Sequence, residues 1–290
     1  MASLPLWPLL AVIFSFVGAV IIGYNQHAKL DGRELVIWRV AGILPLSLIS
    51  WMYLPWPTDP MFYAISGALG VAAVAGDVLL MNAANTYGGR LASMYVPMKM
   101  LLAFALWCVV EPASLTPLVE TPWKGCAVLA CFGLAGWGMN HIRRNDLSLK
   151  ALLAVLPTAL IFAGADVIEK YVLPAAHTDS SIIVGASMAM LTVIFTVGAL
   201  PAMVWLGGLP RYNRRTALLG AGFGVILMGG ISLLLVTFVL APNPGYVAAI
   251  TCLSTVWLAL WGRFYHNERS NPVALVMLVA AAIGVAVVVG

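Results

Sequence analysis

The sequence predicts an all-α integral membrane protein whose ten transmembrane helices form two inverted five-helix repeats. Hydrophobic residues make up 62% of its 290 residues and charged residues only 9%, whereas charged residues are about 25% of a soluble domain. The mean hydropathy of the chain is +0.98. Apolar runs of about 20 residues follow one another along the chain, a length that suits membrane-spanning helices and exceeds that of barrel strands.

Proline, glycine or charged residues end each apolar run and so set the bounds of the predicted helices. The first run lacks the basic start and the small-residue cleavage site of a signal peptide, so we expect it to remain as the first helix. Because the connections are short, we expect any binding site to lie within the membrane. The predicted spans are 6–27, 33–54, 60–85, 89–110, 122–140, 149–173, 180–206, 216–240, 244–265 and 272–289.

The chain divides into two similar halves. Five predicted spans precede the basic connection Arg143–Lys150 and five follow it. Because five is odd, the second half enters the membrane with the opposite polarity, which gives an inverted repeat. The glycine-rich stretch Ser66–Gly70 of the third span has a counterpart in Gly220–Gly224 of the eighth. We therefore predict one repeat in residues 1–145 and a second in residues 146–290.

The placement of basic residues predicts the orientation. Most of them lie in or beside connections that follow odd-numbered spans, whereas Lys124 and Lys170 lie on the other side. Short cytoplasmic loops are enriched in lysine and arginine, so we expect a multi-pass protein of a bacterial-type inner (plasma) membrane with both termini non-cytoplasmic. The residues on the predicted cytoplasmic side are Lys29, Arg33, Arg90, Arg143, Arg144, Lys150, Arg211, Arg214, Arg215, Arg263 and Arg269.

Motifs spread over the chain are similar to those of a known transporter family. Arg39 stands early in the second span, as that family's arginine does. The segment 82–87, followed by Pro97, looks like the family passage "A-L-x-x-T-x-A … P" between the third and fourth spans. Glu111 and Glu268 stand where the fourth and ninth spans of the family end in glutamate. On these residues the chain resembles the drug/metabolite transporter superfamily, in its ten-helix branch with paired EamA-type domains.

The resemblance implies a secondary transporter of small metabolites that works by alternating access. It also implies a central cavity between the repeats, lined mainly by spans one, three, four, six, eight and nine. An integral membrane lipid-modifying enzyme and a non-transporting membrane scaffold subunit stay open as alternatives. The sequence contains no G-x-x-x-x-G-K-[ST], no G-x-S-x-G and no pair of histidines with metal-ligand spacing. We therefore predict no enzymatic activity, cofactor, metal or nucleic-acid partner.

Three charged residues in the first half are expected to share one layer of the membrane. Counted from the cytoplasmic side, Arg39, Asp77 and Lys99 lie about six, eight and ten residues deep. Charge in hydrocarbon is costly, so Asp77 is expected to pair with Arg39 or Lys99. Such a group is either a substrate or gate cluster or a structural pair that joins three spans. Pro97 is expected to bend its span, and Tyr95 to line the cavity beside Lys99.

A second charged group lies on the sixth span. Asp166 and Glu169 are three residues apart on one helical face, and Lys170 is placed to neutralise Asp166. We expect Asp166 in the cavity and Glu169 and Lys170 in the headgroup layer. Protons are hypothesised to couple through Asp77 or Asp166.

The embedded charges sum to zero, which favours a zwitterion, such as an amino acid, or a neutral polar solute. We expect membrane lipids around the protein and a monomer or homodimer, with Gly220-x-x-x-Gly224 as a packing motif within the bundle or between subunits. The charges in that sum are Arg39, Lys99 and Lys170 against Asp77, Asp166 and Glu169.

Overall fold

The computed structural model describes residues 6–88, 92, 94–141, 149–176, 180–266 and 270–289. Within these ranges the chain forms helices and no strands. The boundary between the predicted repeats, the basic residues Arg90, Arg143, Arg144 and Arg269, and the glutamate Glu268 lie outside the described residues.

The helices follow the predicted spans closely. A short 3₁₀ turn, Pro112–Leu115, lies between α5 and α6. In chain order the helices are α1 (Leu6–Ala28), α2 (Gly32–Trp38), α3 (Val40–Tyr53), α4 (Pro60–Tyr87), α5 (Tyr95–Val110), α6 (Thr116–Glu120), α7 (Pro122–His141), α8 (Leu149–Ala176), α9 (Ser180–Leu206), α10 (Arg214–Leu240), α11 (Pro244–Thr251), α12 (Leu253–His266) and α13 (Pro272–Val289).

Among the described residues, seven elements are long and apolar enough to cross a membrane. They are α1, the α2–α3 pair, α4, α9, α10, the α11–α12 pair and α13. An eighth results if α5 and the segment 112–120 form one span, although the two are bent by 117° relative to each other. The structure therefore confirms an all-helical chain with seven or eight helices suited to a membrane, and the count of ten crossings stays a prediction.

Side-chain caps explain where several helices begin. The Asp31 carboxylate accepts a hydrogen bond from the Arg33 amide at the start of α2. Asp59 and Asn243 cap α4 and α11 in the same way, and each is followed by a proline at the first helical position. Such caps satisfy amide groups that the helix itself leaves unpaired, and proline has no amide hydrogen to satisfy there. At the other end of α4, Gly88 adopts a φ of 86°, a conformation that favours glycine.

Helices of the first half pack mainly against helices of the second half. Helix α4 contacts α8 and α9, and α10 contacts α1 and the α2–α3 pair. Helix α5 contacts α8 and α11, whereas α1 contacts α11 and α12. Helices α7 and α13 pack mainly against each other, with smaller contacts of α7 to α5 and of α13 to α11. The two halves therefore form one bundle with an extensive shared interface.

Glycines let α10 approach the α2–α3 pair with backbone in contact with backbone. A Cβ atom at Gly224 would collide with the Arg39 carbonyl oxygen, and one at Gly42 would collide with the Ala221 carbonyl oxygen. Gly220 lies equally close to Trp38. The Gly220-x-x-x-Gly224 motif thus packs within the bundle, which is one of the two uses that the sequence allowed.

The outer surface of the bundle is apolar. Leu48, Val109, Val204 and Val287 are all more than half exposed, and they lie on different helices. A soluble protein rarely exposes apolar side chains over so much of its surface. This surface is what a protein embedded in lipid presents to acyl chains.

Pro97 was expected to bend a span from within. The structure begins α5 at Tyr95, so Pro97 lies in its first turn, and the residue four positions earlier, 93, lies outside the described residues. The bend therefore stays a prediction. The first four amide groups of a helix have no intrahelical acceptor, so a proline there costs no hydrogen bond. Prolines inside described helices include Pro45 in α3, Pro157 in α8 and Pro201 in α9.

We predict that Gly224→Ala destabilises the protein, because the added methyl group would collide with the Arg39 backbone. Overpacking of this kind costs about 1–3 kcal/mol. The measurement is thermal unfolding of detergent-solubilised protein. Gly229→Ala on the same helix is the matched control, because a Cβ there meets no described atom within 4 Å. Equal unfolding temperatures for the two variants would contradict the close packing of α10.

Candidate functional site

A cavity of about 110 Å³ lies inside the bundle, between helices of both halves. Helices α1, α4 and α5 of the first half line it together with α8, α9 and α10 of the second. Since one water molecule needs roughly 10–15 Å³ of such volume, the cavity has room for several water molecules or one compact solute. Its charged and phenolic lining residues are Arg39, Asp77, Tyr95, Lys99, Asp166 and Glu169.

The first ion pair joins Arg39 to Asp77. It confirms the prediction that Asp77 pairs with Arg39 or Lys99. The Arg39 Nη1 atom donates to the Asp77 Oδ2 atom at 2.6 Å. Arg39 follows directly after α2 and is only 1% exposed, while its guanidinium carbon lies 4.3 Å from the centre of the Phe195 ring. A cation over an aromatic face is stabilised by the ring electrons. The pair thus connects the α2–α3 element to α4, and Phe195 of α9 supports it from the second half.

The second ion pair joins the two halves directly. Lys99 Nζ on α5 lies 2.8 Å from Asp166 Oδ2 on α8, and both side chains are almost fully buried. The sequence grouped Lys99 with Arg39 and Asp77, but the structure divides these residues between two pairs. A buried pair compensates both charges only while the two helices keep this spacing. Lys99 and Asp166 therefore form a charge contact across the interface between the halves.

Of the neighbouring residues Tyr95 and Pro97, only Tyr95 lies in the cavity wall. Tyr95 lines the cavity as expected, with its ring edge against Phe162 at a centroid distance of 5.6 Å. The Lys99 ammonium lies 6.0 Å from the centre of the Tyr95 ring. Pro97 is buried one residue beyond the lining residue Val96 and is itself absent from the cavity wall.

The prediction that Lys170 contacts Asp166 is wrong. Lys170 is buried and donates to the Phe238 and Ala241 carbonyl oxygens at 2.7 and 2.6 Å. These carbonyls stand at the C-terminal end of α10, where unpaired carbonyl groups give the helix a partial negative charge. The ammonium group also lies 5.0 Å from the centre of the Trp107 ring. Lys170 thus caps a neighbouring helix and does not line the cavity.

Glu169 was expected in the headgroup layer, but the structure places it in the cavity wall. It is 9% exposed. Among the described residues, no basic nitrogen lies within 4 Å of its carboxylate and no hydrogen-bond donor reaches it. The sequence pattern already contained a signal, because Glu169 shares a helical face with Asp166. What the pattern lacked was the rotation of α8 about its axis, which turns this face inward.

Neutral polar groups in the cavity were also missed. Ser254 near the start of α12 is 2% exposed, and its hydroxyl has no hydrogen-bond partner among the described residues. Thr251 at the end of α11 lines the cavity too, but its hydroxyl donates to the Ala248 carbonyl oxygen. Ser15 accepts a hydrogen bond from the Trp257 indole. The buried Ser254 hydroxyl is therefore available to a solute in the cavity.

The cavity wall combines charged groups with apolar surface. Among the described residues, no group of three His, Cys, Asp or Glu side chains is placed to hold a metal ion. The charged groups are distributed around a largely apolar wall, and two of the three carboxylates already have counter-ions. Such a site offers charge, hydroxyl groups and aromatic surface to a small molecule.

The whole chain is similar in fold to a known structure. A solved structure described as "Crystal structure of protein" matches with a TM-score of 0.60, covering 96% of this chain and 95% of that chain, at 11% sequence identity. At that identity the likeness extends to the fold alone. No family model matches the sequence, and no curated protein sequence matches it.

We predict that Lys99→Met destabilises the protein by about 3–5 kcal/mol, because it leaves the buried Asp166 carboxylate without a counter-ion. The double variant Lys99→Met with Asp166→Asn should recover about 2 kcal/mol or more of that loss, because no uncompensated charge remains. Unfolding curves of the two single variants and the double variant measure the coupling.

Arg33→Met is the matched control for this cycle. Arg33, in the first turn of α2, pairs with the capping residue Asp31 at 2.8 Å, and both side chains are about one-third exposed. Exposed ion pairs contribute little to stability, so we expect no measurable change. Additive effects of the Lys99 and Asp166 substitutions would show that the two side chains do not interact.

Proposed function

We propose that this chain is a secondary transporter that moves a small polar or amphipathic solute across a bacterial-type inner membrane by alternating access. The observation that carries the proposal is the charged cavity between the two halves of the bundle. A carrier needs a mid-membrane site that both halves build, because a movement of one half against the other then exposes the site to either side. A bundle sealed by dry contacts would offer no such site.

The packing of the helices supports two repeats of five spans each. In this arrangement α1 corresponds to α8, the α2–α3 pair to α9, α4 to α10, the α11–α12 pair to α5, and α13 to α7. Helix α4 contacts α8 and α9, as α10 contacts α1 and the α2–α3 pair. Helix α5 contacts α8, as α11 and α12 contact α1. Exchanging the halves leaves these contacts unchanged, which a two-fold axis between repeats would produce.

Close glycine contacts repeat in the same way. A Cβ at Gly70 of α4 would lie 2.6 Å from the Ile194 carbonyl oxygen of α9, and one at Gly198 would lie 2.8 Å from the Gly70 carbonyl oxygen. The corresponding pair, α10 with α2–α3, makes its backbone contact through Gly224 and Gly42. Ten crossings in two inverted repeats, with both termini outside the cytoplasm, remain part of this proposal.

The ion pairs suggest how such a carrier could close and open. Arg39 and Asp77 both belong to the first half and can move as a unit. Lys99 and Asp166 belong to different halves, so a rocking motion that separates α5 from α8 must break or rearrange their contact. A solute that compensates these charges in the open state would lower the free energy of that motion.

A test in two stages separates transport from its alternatives. Thermal unfolding of the purified protein with amino acids, amines, nucleosides and sugars identifies a ligand, because binding to the folded state raises the unfolding temperature. Liposomes that contain only this protein should then release that ligand with saturable kinetics. A lipid-modifying enzyme would instead change the lipid composition of the liposomes, and a scaffold subunit would give neither flux nor lipid products.

We predict that proton coupling, if flux depends on pH, acts through Asp77 or Asp166. Asp77→Asn or Asp166→Asn should then flatten the pH profile of flux and lower the maximal rate about tenfold, since removing a charge from a hydrogen-bonded network costs about 1.5–3 kcal/mol. Asp59→Asn is the matched control, because Asp59 caps α4 outside the cavity and asparagine caps equally well. An unchanged pH profile in both cavity variants would exclude this coupling.

A further inference from the structure

The charge of the cavity differs from the sum that the sequence predicted. Lys170 was counted among the cavity cations, but it lies against the C-terminal carbonyls of α10. The cavity wall therefore holds two cations, Arg39 and Lys99, and three carboxylates. Both cations are paired, with Asp77 and Asp166 respectively. One carboxyl group, that of Glu169, is left without a counter-ion among the described residues.

An unpaired carboxylate in a buried site is costly unless something neutralises or solvates it. Lys99 does not serve this purpose, because its ammonium already lies 2.8 Å from Asp166. Arg39 is likewise engaged at 2.6 Å by Asp77. The group that best complements Glu169 is therefore a cation that enters from outside the chain and carries a single positive charge.

The remaining residues of the cavity wall indicate the size and polarity of the uncharged part of that cation. Aromatic rings from both halves face the space, and they offer flat apolar surface as well as electron-rich faces for a cation. The volume of about 110 Å³ is of the same order as the roughly 150 Å³ of an apolar cavity that holds benzene, and the cavity is not fully enclosed, so it suits a ligand with one ring better than a multi-ring compound. The rings are those of Phe14, Tyr95, Phe162, Phe195 and Phe223.

A second polar contact is available away from the carboxylates. The Ser254 hydroxyl lines the cavity, is 2% exposed and lacks a hydrogen-bond partner among the described residues. Buried hydroxyl groups in folded proteins almost always have a partner. A ligand with a hydroxyl group of its own would supply one.

We propose that the cavity binds a compact organic ammonium ion, whose charged nitrogen donates to the Glu169 carboxylate and whose apolar body packs between the aromatic rings. A hydroxyl group on the ligand would bond to Ser254. This inference rests on the proposed transport function and narrows its substrate class from zwitterions and neutral solutes to primary amines with one positive charge.

Three ligands of similar shape and different charge test the proposal. Benzylamine, benzyl alcohol and benzoate are titrated by calorimetry into the purified protein in lipid nanodiscs. We expect benzylamine to bind at least tenfold more tightly than either of the others, because only benzylamine carries a positive charge that complements the Glu169 carboxylate. Glu169→Gln should lose at least tenfold in benzylamine affinity and leave the other two ligands unchanged. Equal binding of all three ligands would overturn the proposal.

Two controls keep the result independent of folding. Glu111→Gln removes an exposed glutamate just beyond α5 and should bind benzylamine as the unmodified protein does. Glu169→Gln should unfold at the same temperature as the unmodified protein or higher, because it removes a buried charge with no protein partner. A Glu169→Gln variant that fails to fold would assign Glu169 a structural role and would also overturn the proposal.

The Ser254 contact has its own comparison. The contribution of a ring hydroxyl to binding is given by the ratio of the affinity for 4-hydroxybenzylamine to the affinity for benzylamine. This ratio is measured in the unmodified protein and in Ser254→Ala. We expect this ratio to exceed threefold and to fall to about one in the variant. A ratio unaffected by the substitution would remove Ser254 from the binding site.

Liposome flux distinguishes failure of this inference from failure of the transport proposal. Flux of amino acids or sugars without benzylamine binding would retain the carrier and reject the ammonium site. Benzylamine binding without flux of any solute would retain the ammonium site and reject the carrier.

Discussion

The cost of placing charge in an apolar bundle governs the arrangement of this structure. Arg39, Lys99, Asp166 and Lys170 are each buried, and each has a partner: a carboxylate, an ammonium group or the carbonyls at a helix end. An isolated ion in such surroundings would cost several kcal/mol. The helices therefore have to meet at positions and angles that bring these partners within about 3 Å, which is a strong constraint on how the bundle packs.

The packing that satisfies this constraint depends on residues with no charge. Gly224 allows α10 to touch the backbone at Arg39, and Gly220 allows it to touch Trp38. With a larger side chain at either position, α10 would move away from the α2–α3 pair, and the Phe223 and Leu227 side chains would leave the cavity wall with it. The glycines of α10 thus control the site indirectly, because they fix the distance between α10, which carries Phe223, and Arg39, which pairs with Asp77.

Sequence patterns predicted much of this arrangement, and their failures have physical causes. Proline and charged residues bounded the helices well, because these residues act on the backbone locally. Counting depth along each span brought Arg39 and Asp77 together, because a helix rises by a fixed distance per residue. The same count could not choose a partner for Lys99, since a shared depth does not specify which helices are neighbours. Lys99 pairs with Asp166 because the tertiary packing places α8 beside α5.

The helix-face pattern failed for Lys170 for a related reason. Residues four apart on a helix are close enough to pair, and on an isolated helix Lys170 would pair with Asp166. In the bundle, the C-terminal carbonyls of α10 and the ring of Trp107 offer Lys170 a better partner, which sequence spacing does not reveal. The predicted position of Glu169 in the headgroup layer was wrong as well. Both errors come from the rotation of α8, which depends on contacts with helices far away in the chain.

The positions of Asp166 and Glu169 on one helix connect binding to movement. Lys99 of α5 compensates Asp166, and Glu169 stands three residues further along α8 without a counter-ion. If α5 moved by about one helical turn, or 5.4 Å, along α8, Lys99 could change its partner from Asp166 to Glu169. A cation bound at Glu169 would compete with Lys99 for this carboxylate, so its binding would shift the equilibrium between the two positions of α5. A ligand shifts such an equilibrium only by the difference in its affinity for the two states. Because Glu169 is the group whose partner differs between these states, occupancy of the cavity and the relative position of the two halves would be coupled through a single carboxylate.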